Sequence, residues 1–296
     1  MRDWLNKPAK AAYLFILPSM LILFVFTLIP VVSSVAIGFF DLNMFFKNTT
    51  FVGLQNYVKL LADRRVWNSF GNTLAFMLME VPLQVALGLF VAVLVSRAGW
   101  FTRLARSVLF IPVVCSLTSI SIIWSLILDP TIGIVPYYTQ LLGLGKCSFL
   151  KDPNLAMPII VFLSVWKNFG QTMVILLAGI QSINPTYYEA AMVEGARPIQ
   201  QFFRITLPLL LPNIAFCVIT NLIGSMQVFD QVYVATRGGP MFRTETAVMY
   251  IYTRAFSSPF QLGYASAIAT VLFVIIMILS LSLNRWFLKR EEAVYA

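Results

Sequence analysis

Histidine is absent from this chain of 296 residues, and cysteine occurs only three times, at Cys115, Cys147 and Cys217, with no CxxC pair. Zinc and haem sites in proteins take most of their ligands from these two residue types. Metal or haem sites of the usual kind are therefore not expected. The cysteine positions do not indicate a redox compartment.

Charged side chains are also scarce, because only 11% of the residues are charged whereas 59% are hydrophobic. A soluble domain carries roughly 25% charged residues. The apolar blocks run from Ala11 to Leu288, and no polar segment between them is large enough to fold alone. We therefore predict one membrane domain that comprises residues 1–296.

The net charge of +9 comes from 21 Lys and Arg residues against 12 Asp and Glu residues. These cations are scattered in short segments and form no basic face interleaved with aromatic residues, which a nucleic-acid surface would need. Cations concentrated near the ends of membrane helices explain the charge instead. We therefore expect membrane lipid, and no nucleic acid, among the partners.

Six apolar stretches reach the length of about 20 residues that a helix needs to cross the hydrocarbon core. Barrel strands would show shorter alternating segments, so we predict an all-α fold, a polytopic membrane bundle of six transmembrane helices. The first stretch follows Arg2, Lys7 and Lys10, as the core of a cleavable signal peptide would, but its apolar run is far longer than such a core. We therefore expect it to be a retained membrane helix. The predicted spans are 11–40, 72–96, 104–128, 155–180, 208–234 and 262–288.

The density of cations predicts the orientation of the spans. With the N-terminus in the cytoplasm, the inside segments carry eleven cations in about 50 residues, and the outside segments carry nine in about 85. The densest group is Arg97, Arg103 and Arg106, in the short loop between the second and third spans. We therefore predict that both termini face the cytoplasm.

The fourth and fifth predicted spans are joined by a patterned loop, 181–207. Asn184 is placed to cap a helix, and Pro185 fits a first helical position. These signals predict a short helix over 186–194, and Gly195 is placed to end it. A second short helix is predicted over 198–206, stopped by Pro208.

Residues 189–196 (EAAMVEGA), followed by 202–208 (FFRITLP) and Pro212, form a long ordered motif in this loop. The motif resembles the EAA loop of ABC importer permeases, although Glu194 stands where many members have Asp. In that family the loop forms a coupling helix that seats in a cleft of the cytoplasmic ATPase subunit. The resemblance implies an ATPase-coupling role for Glu189, Ala190, Ala191, Glu194, Gly195, Ala196 and Arg197.

Within this motif we expect Glu189 to make a polar contact with the ATPase, while the small alanines and the glycine provide close packing and a sharp turn. Arg197 and Arg204 would add ionic contacts, or would instead be solvated charges or anchors to lipid headgroups.

Further motifs occur at 166–170 (WKNFG), 178–181 (AGIQ), 229–233 (FDQVY), 238–240 (GGP), 250–252 (YIY) and 255–256 (AF). They resemble the MalF-like half of binding-protein-dependent sugar permeases, a group that also includes glycerol-phosphate importers. The resemblance implies a type I ABC importer permease fold that moves a sugar by alternating access. Glycerol phosphate or another polyol derivative is the alternative cargo.

The same resemblance implies a location in the bacterial cytoplasmic (inner) membrane and a set of partners. These are a second homologous permease subunit, a dimer of cytoplasmic ATP-binding subunits, and an extracellular or periplasmic solute-binding protein. In this chain the segment 143–146 (GLGK) lacks the first glycine of a phosphate loop, and Cys147 stands where Ser or Thr would bind Mg²⁺. We therefore expect that the partner ATPase binds ATP and Mg²⁺, and that this chain holds no cofactor and is not itself an enzyme.

Polar side chains inside a membrane span are costly and usually face a cavity. Glu80, Gln84 and Lys167 are such residues, and Lys167 is a candidate ion-pair partner of Glu80. Sugar recognition combines planar polar groups for the hydroxyls with aromatic faces for the ring, whereas the alternative role of each residue is a hydrogen bond between helices. The predicted substrate-pathway residues are Trp166, Asn168, Gln171, Asn221, Gln227, Phe229, Asp230 and Tyr233.

An ion-coupled secondary transporter is the main alternative from another class. It would be expected to have an intramembrane carboxylate relay and internal repeats, and it would not need an ATPase-docking loop. The sequence shows no detectable repeat. An intramembrane enzyme is disfavoured because there is no histidine, no set of metal ligands and no serine motif in a catalytic context. The EAA-like loop discriminates against both alternatives.

Overall fold

A computed structural model describes residues 8–43, 49–97, 99–143, 145 and 148–295. Helices make up most of the described chain, which confirms the all-α prediction. The segment that partly resembles a phosphate loop, 143–147, falls mostly on residues outside the described ones, as do Arg2 and Lys7.

The elements of the first half begin with a long interrupted helix and end with a short helix before residue 142. In chain order they are α1 (Pro8–Leu23), a π-turn (Phe24–Leu28), α2 (Ile29–Ile37), β1 (Phe40–Asp41), β2 (Thr50–Phe51), α3 (Gln55–Ala62), α4 (Arg64–Leu94), α5 (Trp100–Val114), α6 (Leu117–Ile127) and α7 (Ile134–Leu141).

The elements of the second half include the predicted loop between spans four and five. They are α8 (Ala156–Ser182), α9 (Pro185–Val193), α10 (Pro198–Gln201), a second π-turn (Phe202–Thr206), α11 (Leu207–Leu209), α12 (Leu211–Met226), α13 (Asp230–Ala235), α14 (Ala247–Phe256) and α15 (Leu262–Tyr295).

Four helical stretches are long and apolar enough to cross a membrane, namely Phe15–Ile37, Arg64–Leu94, Ala156–Ser182 and Leu262–Glu292. Two further candidates are bent pairs: α5 with α6, at 93°, and Pro198–Leu209 with α12, at 65°. If each bent pair is one span, the described chain has six, which agrees with the predicted number.

The predicted third span, 104–128, is not one straight helix. It is interrupted at Cys115 and Ser116, where the backbone is extended (ψ 148° and 130°), and α6 leaves at 93° to α5. Pro112 lies in the last turn of α5 and has no N–H to donate, so a hydrogen bond that would hold a straight helix is missing just before the break.

The loop helix was predicted to stop at Pro208, and this prediction is wrong because the helix continues to Leu209. The second π-turn precedes the proline, and its closing bond runs from the Leu207 N–H to the Phe202 carbonyl, five residues back. This wider turn separates the proline ring from the carbonyl that it would otherwise strike. Pro30 follows the first π-turn at the same spacing.

The chain forms two compact units, of which the first contains residues up to Arg64 together with Ile251–Phe273. In this unit β1 and β2 pair antiparallel. The buried amide of Asn56 donates to the carbonyls of Gly38 (2.9 Å) and Phe40 (3.0 Å), so α3 is fastened to the chain on both sides of the turn that leads into β1.

The second unit contains Arg65–Tyr250 and the chain from Val274 onward, and its apolar core includes two clusters among the described residues. Gly170 of α8 allows close approach to α5, because a Cβ at this position would lie 2.7 Å from the Leu109 carbonyl oxygen. One cluster contains Phe76, Met157, Ile160, Val161, Val165, Val228, Val232 and Met249. The other contains Ala92, Val95, Met173, Leu176, Leu177 and Cys217.

The loop between α13 and α14 is fastened to the start of α4. Arg65 donates to both carboxylate oxygens of Glu245, each at 2.7 Å, and its guanidinium lies over the Phe242 ring at 3.9 Å. The Asn72 amide donates to the carbonyls of Phe242 (2.8 Å) and Glu245 (2.9 Å). The Thr73 hydroxyl accepts the Ala247 N–H at 2.8 Å, so the loop follows α4 over two of its turns.

Arg106 of α5 stabilises the end of α4. Its Nε and Nη2 atoms both donate to the Val95 carbonyl, at 3.0 and 2.5 Å, where the last carbonyls of a helix have no partner of their own. A cation at this position also interacts favourably with the helix dipole. One member of the basic cluster noted in the sequence, Arg106, therefore has a structural role at the end of α4.

We expect Arg106→Met to destabilise the protein by about 1–2 kcal/mol, because a charged helix cap is lost while the apolar stem is kept. Arg103→Met is the matched control, since Arg103 is exposed on the same helix. Unfolding in detergent by a titrated denaturant measures the difference. Equal loss in both variants would show that general charge, and not the cap, is responsible.

Candidate functional site

The predicted loop helix is observed as α9, and its start is capped as its sequence indicates. The Asn184 side chain accepts the Thr186 N–H at 3.1 Å, and Pro185 is the first helical residue. Because Asn184 has an extended backbone (ψ 125°), its side-chain oxygen can reach the free N–H groups of the first turn.

The end of α9 is a glycine-dependent turn. Gly195 has φ +81°, a conformation that glycine adopts without strain. The Gly195 N–H donates to the Met192 carbonyl (3.0 Å), and the Ala196 N–H donates to the Ala191 carbonyl (2.8 Å). This pair of bonds is the Schellman motif, which satisfies the last carbonyls of the helix and reverses the chain.

The predicted coupling residues lie together on this exposed segment. Ala191 and Ala196 are half-buried, while the others, Glu189, Ala190, Glu194, Gly195 and Arg197, are exposed.

Large apolar side chains on the same segment are also exposed. Val193 is 90% exposed, Ile199 68% and Met192 59%. An apolar patch next to two carboxylates has no partner within the described chain, and such patches mark contact surfaces for other proteins.

The segment is joined to the helices that follow it. The Tyr188 hydroxyl lies 2.9 Å from the Thr206 hydroxyl in the second π-turn. The Gln201 amide donates to the Ala196 carbonyl at 3.1 Å, and the Arg197 N–H donates to the Gln200 side-chain oxygen at 2.8 Å. Hydrogen bonds therefore connect α9 and the turn after it to the helical stretch Pro198–Leu209, which leads into α12.

A second feature is a polar cavity of about 300 Å³ between α4, α8, α12 and the start of α13. Six of the eight predicted substrate-pathway residues line it: Asn168, Gln171, Asn221, Gln227, Phe229 and Asp230. Glu80 and Gln84, which were expected from the sequence to face a cavity, also line it. The wall further contains residues that were not predicted, namely Phe76, Leu117, Ser164, Thr220, Gly224, Ser225, Val228 and Gln231.

The contribution of α8 to the cavity follows helical spacing. Ser164, Asn168 and Gln171 are four and three residues apart, which places them on one face of the helix. Trp166 was predicted to belong to the same site, but it lies about 200° around the helix from both Ser164 and Asn168. Its ring packs instead against Trp124, with the centroids 5.7 Å apart.

Tyr233 is the other predicted residue that lies outside the cavity wall. It is one turn beyond Phe229, and its ring stacks on the Phe229 ring at 5.2 Å with an interplanar angle of 24°. Tyr233 therefore supports an aromatic residue of the wall and does not form the wall itself.

Hydrogen bonds connect the polar side chains of the wall. Ser164 donates to Glu80 Oε1 at 3.2 Å, and among the described residues no ion pair joins Glu80 to Lys167. Gln84 donates to the hydroxyl of Thr172 (3.3 Å) and to Asn221 Oδ1 (3.1 Å). The network thus links α4, α8 and α12.

The hydroxyl residues of this network were missed in the sequence because serine and threonine are unremarkable in membrane helices, where their hydroxyls often bond to the preceding turn. The four-residue spacing of Ser164 from Asn168 was the signal that would have found one of them. In the part of the chain that the structure describes, no cluster of three or more His, Cys, Asp or Glu side chains is placed to hold a metal ion.

The family model described as "Binding-protein-dependent transport system inner membrane component" matches residues 84–292. The chain is 34% identical over 291 residues to the probable ABC transporter permease protein YurN of Bacillus subtilis, covering 97% of this chain and 99% of that one. It is 31% identical to the trehalose/maltose transport system permease protein MalF of Thermococcus litoralis, covering 92% and 91%.

Among solved structures, a bacterial ABC transporter involved in import of the acidic polysaccharide alginate has the same fold. The TM-score is 0.84 at 23% identity, and the match covers 97% of this chain and 96% of the other. The match to the family model extends over more than two thirds of the chain and includes the coupling segment and most of the cavity wall. The chain therefore belongs to the family of binding-protein-dependent transport system inner membrane components, and it is a permease subunit of an ABC importer.

Proposed function

We propose that this permease imports a sugar across the bacterial cytoplasmic membrane by alternating access, and that a separate ATPase drives the transport. The observation that carries the proposal is the polar cavity. Its amide, hydroxyl and carboxyl groups converge from three membrane helices, where buried polar groups are costly unless they serve a solute or one another.

The energy source in this proposal is ATP hydrolysed outside the chain, whose own residues include no phosphate-binding loop. The exposed segment formed by α9 and Gly195 docks in a cleft of the ATPase, with Glu189 as its polar contact. Closure of two ATP-binding subunits then moves α9, and the bonds from Tyr188 and Gln201 carry the movement towards α12, which lines the cavity. Such a rigid displacement between two packed arrangements is a common form of alternating access.

The complete importer would also contain a second homologous permease and a solute-binding protein outside the cell. Both termini of the chain and the α9 segment would lie in the cytoplasm, where ATP is available. The cations Arg97, Arg103 and Arg106, at the connection between α4 and α5 and in the first turns of α5, support this orientation.

The choice of a sugar as cargo is supported by the chemistry of the cavity and by the relative from Thermococcus litoralis, whose name assigns it trehalose and maltose. Sugars need many directed hydrogen bonds and an apolar face for the ring. The wall offers the amides of Asn168, Gln171 and Gln227 together with the ring of Phe229.

The assembly is tested by purifying the tagged chain from its own membranes in a mild detergent. An ATP-binding subunit and a second permease are expected to co-purify in fixed proportion. Cysteine introduced at Val193, which is 90% exposed in the chain alone, should react with an impermeant maleimide only in opened cells from which the ATP-binding subunit has been stripped, provided that the native cysteines are replaced.

The cargo is tested by uptake into proteoliposomes that hold this complex and its solute-binding protein, with internal ATP and a panel of labelled sugars. ATP-dependent accumulation of a sugar is expected. Uptake by the isolated chain under an ion gradient, or labelling of Val193→Cys in intact cells, would contradict the proposal.

A further inference from the structure

The cavity wall contains acidic side chains but no cation among its described residues. Glu80 and Asp230 both line it. Lys167 is next in sequence to Asn168, but it is about 100° around α8 from that residue and is not part of the wall. The remaining polar groups of the wall are neutral amides and hydroxyls.

Two buried oxygens in this wall have no hydrogen-bond partner. They are Glu80 Oε2 and Gln84 Oε1, in side chains that are 4% and 2% exposed. The other polar atoms of these two side chains are engaged, since Glu80 Oε1 accepts from Ser164 and Gln84 Nε2 donates to Thr172 and Asn221. Because the residues are four apart on α4, the two oxygens lie one turn from each other on the same helix face.

Unpaired buried acceptors are costly, so native proteins rarely keep them without a reason. Here both belong to the wall of a cavity, and a bound molecule with hydrogen-bond donors would satisfy both. A hydroxyl group supplies such a donor and can also accept from the neighbouring amides. A phosphate or carboxylate group supplies acceptors only.

We infer that this cavity selects a neutral, polyhydroxylated cargo and excludes anionic sugars and sugar phosphates, with Glu80 and Gln84 as the acceptors that receive the hydroxyls. The inference rests on the proposed function and restricts its cargo from sugars in general to neutral sugars. An anionic group is normally recognised by Arg or Lys, which the wall lacks. It would also approach the carboxylate of Asp230 at the exposed edge of the wall, where like charges repel each other.

The test measures binding to the assembled transporter in lipid nanodiscs, without the solute-binding protein, so that only the selectivity of the permease is recorded. Equilibrium dialysis compares labelled maltotriose, a neutral trisaccharide, with trigalacturonate, an anionic one, and with glycerol 3-phosphate. Maltotriose is expected to bind at least about tenfold more tightly than either anion.

Two substitutions locate the selectivity. Glu80→Gln keeps the shape of the side chain but replaces one oxygen by an N–H₂ group, so maltotriose binding should weaken about tenfold. Asp230→Lys places a cation at the exposed edge of the wall and should strengthen trigalacturonate binding about fivefold or more. Glu292→Gln, the same chemical change at an exposed site near the end of α15, is the matched control and should change neither.

The outcomes separate this inference from the proposed function. Equal or tighter binding of trigalacturonate overturns the inference and leaves import of a sugar standing. Binding of glycerol 3-phosphate alone overturns both, whereas binding of none of the three compounds overturns the inference and leaves the import of a sugar to the uptake assay. Unchanged maltotriose binding in Glu80→Gln, with co-purification of the ATPase showing a folded complex, removes Glu80 from the recognition of the cargo.

Discussion

Replacing Gly195 by proline is expected to reduce ATP-driven uptake at least about a hundredfold while the protein still inserts into the membrane. The proline ring holds φ near −65°, whereas residue 195 has φ +81°. Proline also has no N–H for the Met192 carbonyl, and the Ala196 bond to Ala191 would be displaced. A local cost of about 3 kcal/mol or more would unfold the end of α9, and with it the surface that we propose meets the ATPase.

Gly195→Asn provides the matched control, because asparagine tolerates a positive φ and a Cβ at residue 195 has no atom within 4 Å. Its uptake should stay within about threefold of the unchanged protein. Uptake, ATPase activity stimulated by the solute-binding protein, and the amount of co-purified ATPase are measured together. Normal uptake by the proline variant, or an equally deep loss in the asparagine variant, would remove Gly195 from the coupling of the two subunits.

Arg65→Met is expected to destabilise the second unit by about 3 kcal/mol, near the lower end for a broken buried ion pair. The substitution removes the bidentate hydrogen bonds of Arg65 from the Glu245 carboxylate, whose side chain is 2% exposed. It also removes the cation over the Phe242 ring, although methionine keeps part of the packing. The 35% exposure of the Arg65 side chain allows some water to reach the carboxylate, which keeps the loss from being larger.

The neighbouring Arg64→Met is the matched control, because Arg64 is exposed at the start of the same helix. Its effect should be below about 0.5 kcal/mol. Denaturant unfolding in detergent measures both variants. The double substitution of Arg65→Met with Glu245→Leu should recover part of the loss, since it removes the unpaired charge. If Arg65→Met and Arg64→Met behave alike, the pair does not hold the loop to α4.

The parts of this structure that could be predicted from the sequence are those whose signals are local. Asn184, Pro185 and Gly195 predicted both ends of α9 because capping and positive φ depend on the residue itself and its nearest neighbours. Length and hydropathy predicted the number of candidate spans, because both depend only on consecutive residues. The break at Cys115 and Ser116 has only Pro112 as a local signal, and a proline inside a membrane helix does not by itself show where the chain turns by 93°.

The cavity was predictable only in part. Asn168, Gln171 and Asn221 were predicted as pathway residues because polar side chains are costly in apolar spans. In the structure all three line the cavity. Trp166 and Tyr233 were predicted as pathway residues from the chemistry of their rings alone. The helix face that carries each ring was not part of the prediction, and neither residue lines the cavity. Arg106 and Arg65 act on partners 11 and 180 residues away, respectively, and a pattern in one sequence does not reveal such pairings.

The π-turn at Phe202–Thr206 affects how α9 is rotated relative to α12, because it lies on the stretch of chain between them. A regular helix advances about 100° per residue, and this turn contains one residue more than an α-helical turn would. Deleting a single residue there would restore a regular helical turn. It would also rotate the preceding helices, including α9, by about 100° relative to α12. The apolar patch around Val193 would then face a different direction although none of its side chains had changed. If this patch is the docking surface that we propose, the length of the segment, as well as its composition, determines whether a partner subunit can bind there.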